Sequence, residues 1–275
     1  MLEDVQNRRD HRRLPIDEVG ITGIRYPVAV PDREHGKQDT IADVTMSVDL
    51  SPELKGTHMS RFVEILSGAA AEVTPVTLPV MLGILRERLA ARRARLEFRF
   101  PYFLCRAAPV TGESALMDYQ CWLSGELDDS GVRLTLGVRV PVTSVCPCSK
   151  AISDYGAHNQ RAYITIRACL EFGEDGQPAP VWADDLIGIA EAAASCPVYP
   201  LLKRPDERHV TMRAYDHPAF VEDMVRAAAG ELAAHEQIGS FSVEAASEES
   251  IHNHSAFARI VSQQQRDEYT RTAGQ

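Results

Sequence analysis

Strict alternation of apolar and polar residues marks two strands of the chain. The apolar positions are Val44, Met46, Val48 and Leu50 in the first strand, and Val132, Leu134, Leu136, Val138 and Val140 in the second. A period of two is typical of a strand that buries one face. Residues 78–92 instead repeat their apolar positions every three or four residues, which indicates an amphipathic helix.

The same periodicities predict the remaining elements. Further strands are predicted over residues 20–30, 95–103, 116–126, 163–171, 240–245 and 256–262, and further helices over residues 60–71, 184–195 and 218–235. Asp216 is available as the N-cap of the last helix, which has Pro218 in its first turn. The order strand, strand, helix, helix, strand, strand therefore occurs twice. Because locally connected strands pair antiparallel, we predict an α+β fold of two tandem ββααββ-like modules, with the helices on one face of antiparallel sheets.

A turn-rich segment, LDDSG at residues 127–131, separates the two predicted modules. We expect a flexible N-terminal arm at residues 1–15, modules at residues 16–128 and 129–263, and a C-terminal tail at residues 264–275. The second module carries most of the candidate site motifs. Four-stranded sheets have open edges that favour pairing with another subunit, so a homo-oligomer is expected.

Composition and charge exclude several classes of protein. The chain has 275 residues, 44% of them hydrophobic, which is ordinary for a globular protein. Its net charge of −10 disfavours binding to nucleic acid. It has no apolar run of membrane-spanning length and no secretory signal at its N-terminus, so we expect a cytoplasmic protein without a membrane partner and with its six cysteines reduced. The phosphate-loop, dinucleotide-binding and serine-hydrolase motifs are missing, which disfavours those three enzyme classes.

The segment PVTSVCPCSKAISDYGAHNQRA, residues 141–162, carries the densest candidate chemistry. Cys146 and Cys148 are followed by His158, and Gly156 is able to bend the chain back between them. Thiolate and imidazole are natural ligands of zinc and similar ions, so a metal site or a reactive thiol is predicted, against the alternative that the cysteines are small buried apolar residues. No second pair of ligands completes a structural site, which favours an open catalytic position.

Two other segments offer further ligands. KRPDERH, residues 203–209, is predicted to lie between a helix and a strand, either as a solvated loop or as a ligand-binding segment. Its potential metal ligands are Asp206, Glu207 and His209, and its phosphate-binding cations are Lys203, Arg204 and Arg208. In ESIHNHSAFA, residues 249–258, His252 and His254 would point the same way on a strand, where they could ligate metal, bind phosphate, shuttle protons or simply end the strand. Glu222 lies in the first turns of the last predicted helix. It has either a functional role or only a favourable interaction with the helix dipole.

These motifs, taken in order, resemble GTP cyclohydrolase of type IB. The matching segments are CPCSKAISDYGAHNQRA, LLKRPDERHVT, AYDHPAFVEDMVR and ESIHNHSA, and the resemblance runs from about residue 58 to residue 259. It implies a tunnelling fold whose subunits associate into barrels, as a homotetramer with active sites where subunits meet. It also implies the hydrolysis of GTP to 7,8-dihydroneopterin triphosphate and formate, the first step of folate and pterin biosynthesis, with manganese or zinc as the cofactor and iron as a further candidate.

The resemblance also implies roles for particular residues. Cys146 corresponds to the catalytic, metal-binding cysteine, and His158 and Glu207 to its partners at the metal, which would activate a water for attack on guanine C8. Cys148 is assigned a supporting catalytic role, and His252 corresponds to a histidine near the active site, with His254 the weaker choice. Glu222 corresponds to the carboxylate that anchors the purine ring. Lys203, Arg204, Arg208 and Arg161 are candidates for holding the triphosphate on grounds of charge alone. The sequence departs from the family at Met212, in the strand expected after KRPDE, where a glutamate is common.

Two rival functions remain open at this stage. A related tunnelling-fold enzyme could use Cys146 as a covalent nucleophile in nitrile reduction, which would require NADPH and release no formate. Alternatively, Cys146, Cys148 and His158 could form a structural zinc clip in an interaction module without catalytic activity.

Overall fold

The computed structural model describes residues 6, 8–69 and 72–262, so the predicted tail at 264–275 lies outside the described residues, as do residues 1–5 and 7 of the predicted arm. The strands are β1 (Ile16–Asp32), β2 (Gly36–Leu50), β3 (Ala94–Ala107), β4 (Ser114–Asp128), β5 (Gly131–Val145), β6 (Asn159–Leu170), β7 (Cys196–Pro197), β8 (Ile238–Ser247) and β9 (Ala256–Val261). The helices are α1 (Met59–Ala69), α2 (Thr77–Arg88), α3 (Pro147–Ile152), α4 (Ala183–Ala192), α5 (Arg204–Asp216) and α6 (Val221–Ala233).

The described strands pair in the order β1-β2-β3-β4-β5-β6-β8-β9, and β7 pairs with β5. The registers of β1 with β2, β2 with β3, β6 with β8 and β8 with β9 are all antiparallel. The predicted α+β class and the antiparallel pairing are therefore confirmed. Within the described residues, no helix is both long and apolar enough to cross a membrane.

The first of two compact units comprises Met1–Pro101, Trp122–Thr135 and Gly173–Pro178. Its core is the buried face of β2 together with the apolar stripe of α2, as the two periodicities predict. Gly125 of β4 lies against that helix: a Cβ atom there would come within 2.7 Å of Leu82 Cδ1 and 3.0 Å of Leu78 Cδ2. A larger residue at this position would therefore force the leucine side chains of α2 to shift.

The second compact unit comprises Tyr102–Cys121, Leu136–Phe172 and Ala179–Gln275, and it contains all the candidate site residues. In β6 the alternate residues Ala162, Ile164, Ile166, Ala168 and Leu170 are buried. Helix α6 packs on β8 and β9 and buries Met224, Val225, Ala228 and Leu232. Since β4 and β5 each contribute residues to both units, the predicted division into 16–128 and 129–263 stays a prediction.

Several local predictions were wrong. Asp216 does not cap α6: it is the last residue of α5, and the Asp223 carboxylate instead accepts a hydrogen bond from the Phe220 N–H at 3.0 Å. The predicted flexibility of the N-terminal arm stays a prediction, although the Lys55 N–H donates to the Arg8 carbonyl at 2.9 Å. Helix α5 was missed because it buries only Asp206 and Ala214, which leaves no apolar periodicity to detect.

Candidate functional site

A loop with helix α3 at its start brings Cys146 next to His158. The Cys146 N–H donates to the His158 carbonyl at 3.1 Å, and the His158 N–H donates to Ser149 Oγ at 3.2 Å. Cys146 is the N-cap of α3, and its sulfur accepts a hydrogen bond from the Ser149 N–H at 3.4 Å. Gly156 has a φ of +145°, which favours glycine and lets the chain turn back toward β6. The backbone therefore places next to each other the two residues that the sequence predicted as partners.

Apolar residues underlie this loop. Val145, Cys196 and Ala214 form a buried cluster, and Ala157, Tyr199 and Val210 pack against it. Burial raises the pKa of the Cys196 thiol, which keeps this cysteine neutral and apolar. Cys146, by contrast, is half-buried and Cys148 is exposed on α3, so neither residue belongs to the buried cluster. The alternative that these two cysteines are merely buried apolar residues is therefore wrong.

His158 contacts two polar residues that the sequence reasoning missed. Its Nδ1 lies 2.8 Å from Gln160 Oε1 and 3.9 Å from Glu249 Oε2. Gln160 Nε2 in turn lies 3.3 Å from Glu249 Oε1. The side chains of His158 and Glu249 are only 12% and 16% exposed, so these contacts are largely screened from water. Both residues stand inside motifs that carried the resemblance, NQRA and ESIH, which is the signal that could have found them.

The KRPDERH segment does not lie in a loop between a helix and a strand, as predicted, but begins helix α5. Asp206 is fully buried, and its carboxylate accepts four hydrogen bonds. They come from Thr111 Oγ1 at 2.7 Å, Val110 N–H at 2.8 Å, Thr111 N–H at 2.9 Å and Lys203 N–H at 2.9 Å. Burial alone would raise the pKa of Asp206, but these hydrogen bonds outweigh burial and hold it well below its usual value. Asp206 is thus a structural anchor, with no lone pair left over for a metal.

The other residues of this helix start face solvent. Lys203, Arg204, Glu207, Arg208 and His209 are all exposed. Within the described part of the chain, the three cations form no ion pair, so their charges are available to an anion. Met212, predicted on a strand, lies in α5 and is 48% exposed.

His252 and His254 lie in the turn between β8 and β9, outside the two strands that the sequence predicted on either side of them. Their rings are nevertheless stacked, with centroids 5.1 Å apart and an interplanar angle of 20°. Both are exposed, and they follow Glu249 in the same turn. The turn thus carries two imidazoles, and it also carries the Glu249 carboxylate, which lies near His158.

Glu222 is exposed in the first turn of α6. Its neighbour Asp223 is engaged in capping the helix through the Phe220 N–H. A second contact fixes this helix start, because Ser144 Oγ donates to the Ala219 carbonyl at 3.2 Å. The carboxylate of Glu222 therefore stands on a fixed helix end without a capping duty of its own.

A cavity of about 230 Å³ in the second unit contains none of these residues. Its wall includes Arg106 and Glu191, which form a part-buried ring of hydrogen bonds with Tyr119. Burial raises the pKa of Glu191 and that of Tyr119, and Arg106 opposes both shifts. The predicted site residues lie outside this cavity.

The donor chemistry at Cys146, His158 and Glu249 suits a divalent cation, since it offers thiolate, imidazole and carboxylate ligands. Among residues 6, 8–69 and 72–262, however, no three His, Cys, Asp or Glu side chains converge closely enough to enclose an ion. A closed zinc clip of the kind considered above is therefore not formed by the described residues. The predicted ligand set of Cys146, His158 and Glu207 stays a prediction.

Comparisons with known proteins agree on one family. A family model described as type I GTP cyclohydrolase folE2 matches residues 2–258. A relative named GTP cyclohydrolase FolE2 from Methylococcus capsulatus is 52% identical over 260 residues, which cover 94% of both chains. Its namesake from Desulfovibrio desulfuricans is 51% identical over 259 residues, covering 94% of this chain and 97% of its own. Among solved structures, a Bacillus fastidious uricase matches with a TM-score of 0.52 and 9% identity over 93% of this chain and 96% of its own, which shows a shared tunnelling fold alone.

Proposed function

This chain belongs to the type I GTP cyclohydrolases of the folE2 kind, and from that membership we propose how its own residues carry out the reaction. It is an enzyme that converts GTP and water to 7,8-dihydroneopterin triphosphate and formate, the first step of folate biosynthesis. The observation that carries the residue assignments is the pairing of Cys146 and His158 across one backbone hydrogen bond of 3.1 Å.

Glu222 is proposed to anchor the guanine ring. A carboxylate accepts two hydrogen bonds side by side, which matches the ring N–H and the amino group of guanine. Support comes from its exposure at the start of α6 and from the engagement of Asp223, its acidic neighbour, with the Phe220 N–H. This geometry leaves Glu222 available to a ligand.

Lys203, Arg204 and Arg208 are proposed to hold the triphosphate, with Arg161 as a further candidate. The first three stand at the N-terminal end of α5, where the helix dipole also favours an anion. Arginine and lysine bind phosphate through charge-assisted hydrogen bonds. Asp206 does not cancel this positive charge toward solvent, because its carboxylate is fully buried and turned to Thr111 and the backbone.

Type I GTP cyclohydrolases are in general metal-dependent enzymes. We propose that Cys146 and His158 hold the ion with Glu207 as the carboxylate, because the 3.9 Å approach of Glu249 is to Nδ1 of His158, the nitrogen already bonded to Gln160. Manganese and zinc are the leading candidates, and iron is a further one, since these ions accept mixed sulfur, nitrogen and oxygen ligands. When bound, such a cation supplies the Lewis acidity that makes water a nucleophile near neutral pH, here for attack at guanine C8.

Proton transfers during ring opening are proposed to fall to His252. It is exposed in the turn that begins with Glu249, and the stacked ring of His254 restricts its orientation. A positioned general acid or base accelerates such steps typically by about 10²- to 10⁴-fold. Cys148, exposed on α3, is given only a supporting role near Cys146.

The enzyme is proposed to assemble as a homotetramer in which subunits form barrels and complete the active sites. Large apolar side chains are exposed around the candidate site, namely Ile152, Tyr155, Ile251 and Phe257. Strand β9 pairs only with β8 among the described strands, so its outer edge is open to another chain. We also propose a cytoplasmic location, since the reducing cytoplasm keeps the free thiol of Cys146 available for a metal.

The decisive experiment incubates the purified protein with GTP and manganese and measures both formate and the fluorescence of the oxidised pterin. Formation of both products without NADPH is the expected result. A requirement for NADPH, without formate, would instead support the nitrile reductase. Light scattering of the same sample measures the subunit number, and a monomer with full activity would contradict the interface sites.

A further inference from the structure

One buried amide connects the residues of the candidate site. Gln160, on β6, is 8% exposed, and its Oε1 lies 2.8 Å from His158 Nδ1. Its Nε2 lies 3.3 Å from Glu249 Oε1 and 3.5 Å from Ser144 Oγ. The amide therefore has distinct partners at its two ends.

The two partners at the Nε2 end decide which way round the amide is placed. A carboxylate such as that of Glu249 accepts hydrogen bonds and does not donate them, so it requires the NH₂ group. Ser144 uses its hydroxyl hydrogen on the Ala219 carbonyl at 3.2 Å and turns a lone pair toward Gln160. Glu249 and Ser144 therefore both require the amide NH₂ group on their side, and the amide oxygen faces His158.

This orientation determines where the proton of His158 lies. The amide oxygen only accepts hydrogen bonds, so His158 Nδ1 must donate one to it. Glu249 is too far away to replace Gln160 in this role, because 3.9 Å exceeds hydrogen-bond distance. In a neutral imidazole the second nitrogen, Nε2, then has no proton and presents its lone pair.

We propose that Gln160 is a positioning residue that holds His158 as the Nδ1–H tautomer and so reserves Nε2 for a metal ion or for a proton from the substrate. The function of the reserved nitrogen rests on the proposed activity, whereas the tautomer itself does not. Burial strengthens the effect, since a mismatched donor or acceptor this deep would stay unsatisfied. Partners of this kind typically change metal affinity by about 10- to 100-fold.

The test measures the tautomer in metal-free protein by nitrogen-15 NMR of labelled histidine, with the His158 signals assigned by substitution. In the wild type we expect a protonated Nδ1 and an unprotonated Nε2. In Gln160→Met, which keeps the side-chain volume but removes both polar groups, we expect the Nε2–H tautomer to appear. Cobalt titration of the same proteins should show affinity about 10- to 100-fold weaker for Gln160→Met.

Ser144→Ala is the matched control, because it removes a neighbouring hydrogen bond of the same buried group without touching His158. It should leave the tautomer unchanged even where it lowers stability. In the wild type, a neutral His158 protonated at Nε2 would by itself overturn the proposal. An unchanged tautomer in Gln160→Met would also overturn it. Failure of the proposed function would show separately, as absence of formate from GTP in the metal-loaded wild type.

Discussion

Asp206 and Thr111 are joined twice, since the Asp206 carboxylate accepts the Thr111 hydroxyl at 2.7 Å and the Thr111 N–H at 2.9 Å. The first bond uses Oδ2 and the second uses Oδ1, and each oxygen also accepts a backbone N–H, from Lys203 and Val110 respectively. The turn after β3 and the start of α5 are therefore fastened by one buried carboxylate. Because the proposed triphosphate cations stand on that helix start, Asp206 acts on them through the backbone.

Substituting Asp206→Asn should weaken GTP binding more than it slows turnover. Both oxygens of Asp206 accept hydrogen bonds, so the amide nitrogen of the substituted asparagine would face an N–H or O–H donor in either orientation. The start of α5 would then lose its anchor, and the cations on it would no longer be held in place. Steady-state kinetics should show a raised KM with a smaller change in kcat. Thr111→Ser, which retains the hydroxyl and leaves Asp206 in place, should keep a near-normal KM. An unchanged KM in Asp206→Asn would show that this anchor does not affect substrate binding.

The same carboxylate should make the protein sensitive to acid. The pKa of Asp206 is lower in the folded state than in the unfolded chain, so its contribution to stability is complete above the ordinary value near 3.9 and is lost as the pH falls below it. Urea unfolding at fixed protein concentration should show a wild-type advantage over Asp206→Asn that is constant near pH 6 and shrinks below about pH 4. An advantage that grows on acidification would contradict the direction of the pKa shift.

Cys146→Ala should abolish most activity while Cys148→Ala should not. Loss of a metal ligand removes several kcal/mol of electrostatic stabilisation, which corresponds to about 10²-fold or more in rate. Cys148 is exposed on α3, so its removal should cost less than about tenfold. Metal content measured alongside activity should fall only in the first variant. Full turnover by Cys146→Ala would contradict the proposal that this thiol binds the catalytic metal.

Glu222→Gln and Asp223→Ala form a matched pair on one helix turn. The first should raise KM for GTP by about 10- to 100-fold, because hydrogen bonds to a charged group are worth roughly 1.5–3 kcal/mol, and should barely change stability. The second loses the cap on the Phe220 N–H and should lower the free energy of unfolding by about 1 kcal/mol with little effect on KM. Equal effects of the two variants on KM would contradict the assignment of Glu222 to the guanine.

The part-buried ring of Arg106, Tyr119 and Glu191 should be a determinant of stability. Glu191→Ala leaves the Arg106 guanidinium, whose side chain is 27% exposed, with Tyr119 as its remaining partner in the ring, so we expect a loss of about 1–3 kcal/mol in urea unfolding. The exposed pair of Arg88 and Glu64, 3.8 Å apart, provides the control: Glu64→Ala should cost less than about 1 kcal/mol. Similar losses in the two variants would mean that burial does not matter at Glu191.

The sequence by itself determined the elements whose stability comes from one buried apolar face. Strands β2 and β5 and helix α2 were predicted because the period of burial is local and can be read directly from the chain. The pairing of Cys146 with His158 could also be predicted from the sequence, since one loop contains both residues.

Only the tertiary structure decided what distant polar groups do. Helix α5 is held by the buried Asp206 carboxylate, which is hydrogen-bonded to a turn 95 residues earlier in the chain. The helix has no apolar repeat from which the sequence could predict it. Gln160 meets Glu249 across 89 residues of sequence. Hydrogen bonds between such residues depend on how the strands and turns come together, and they leave no periodic trace in the sequence. A motif could single out Gln160, but only the folded chain showed that it contacts His158.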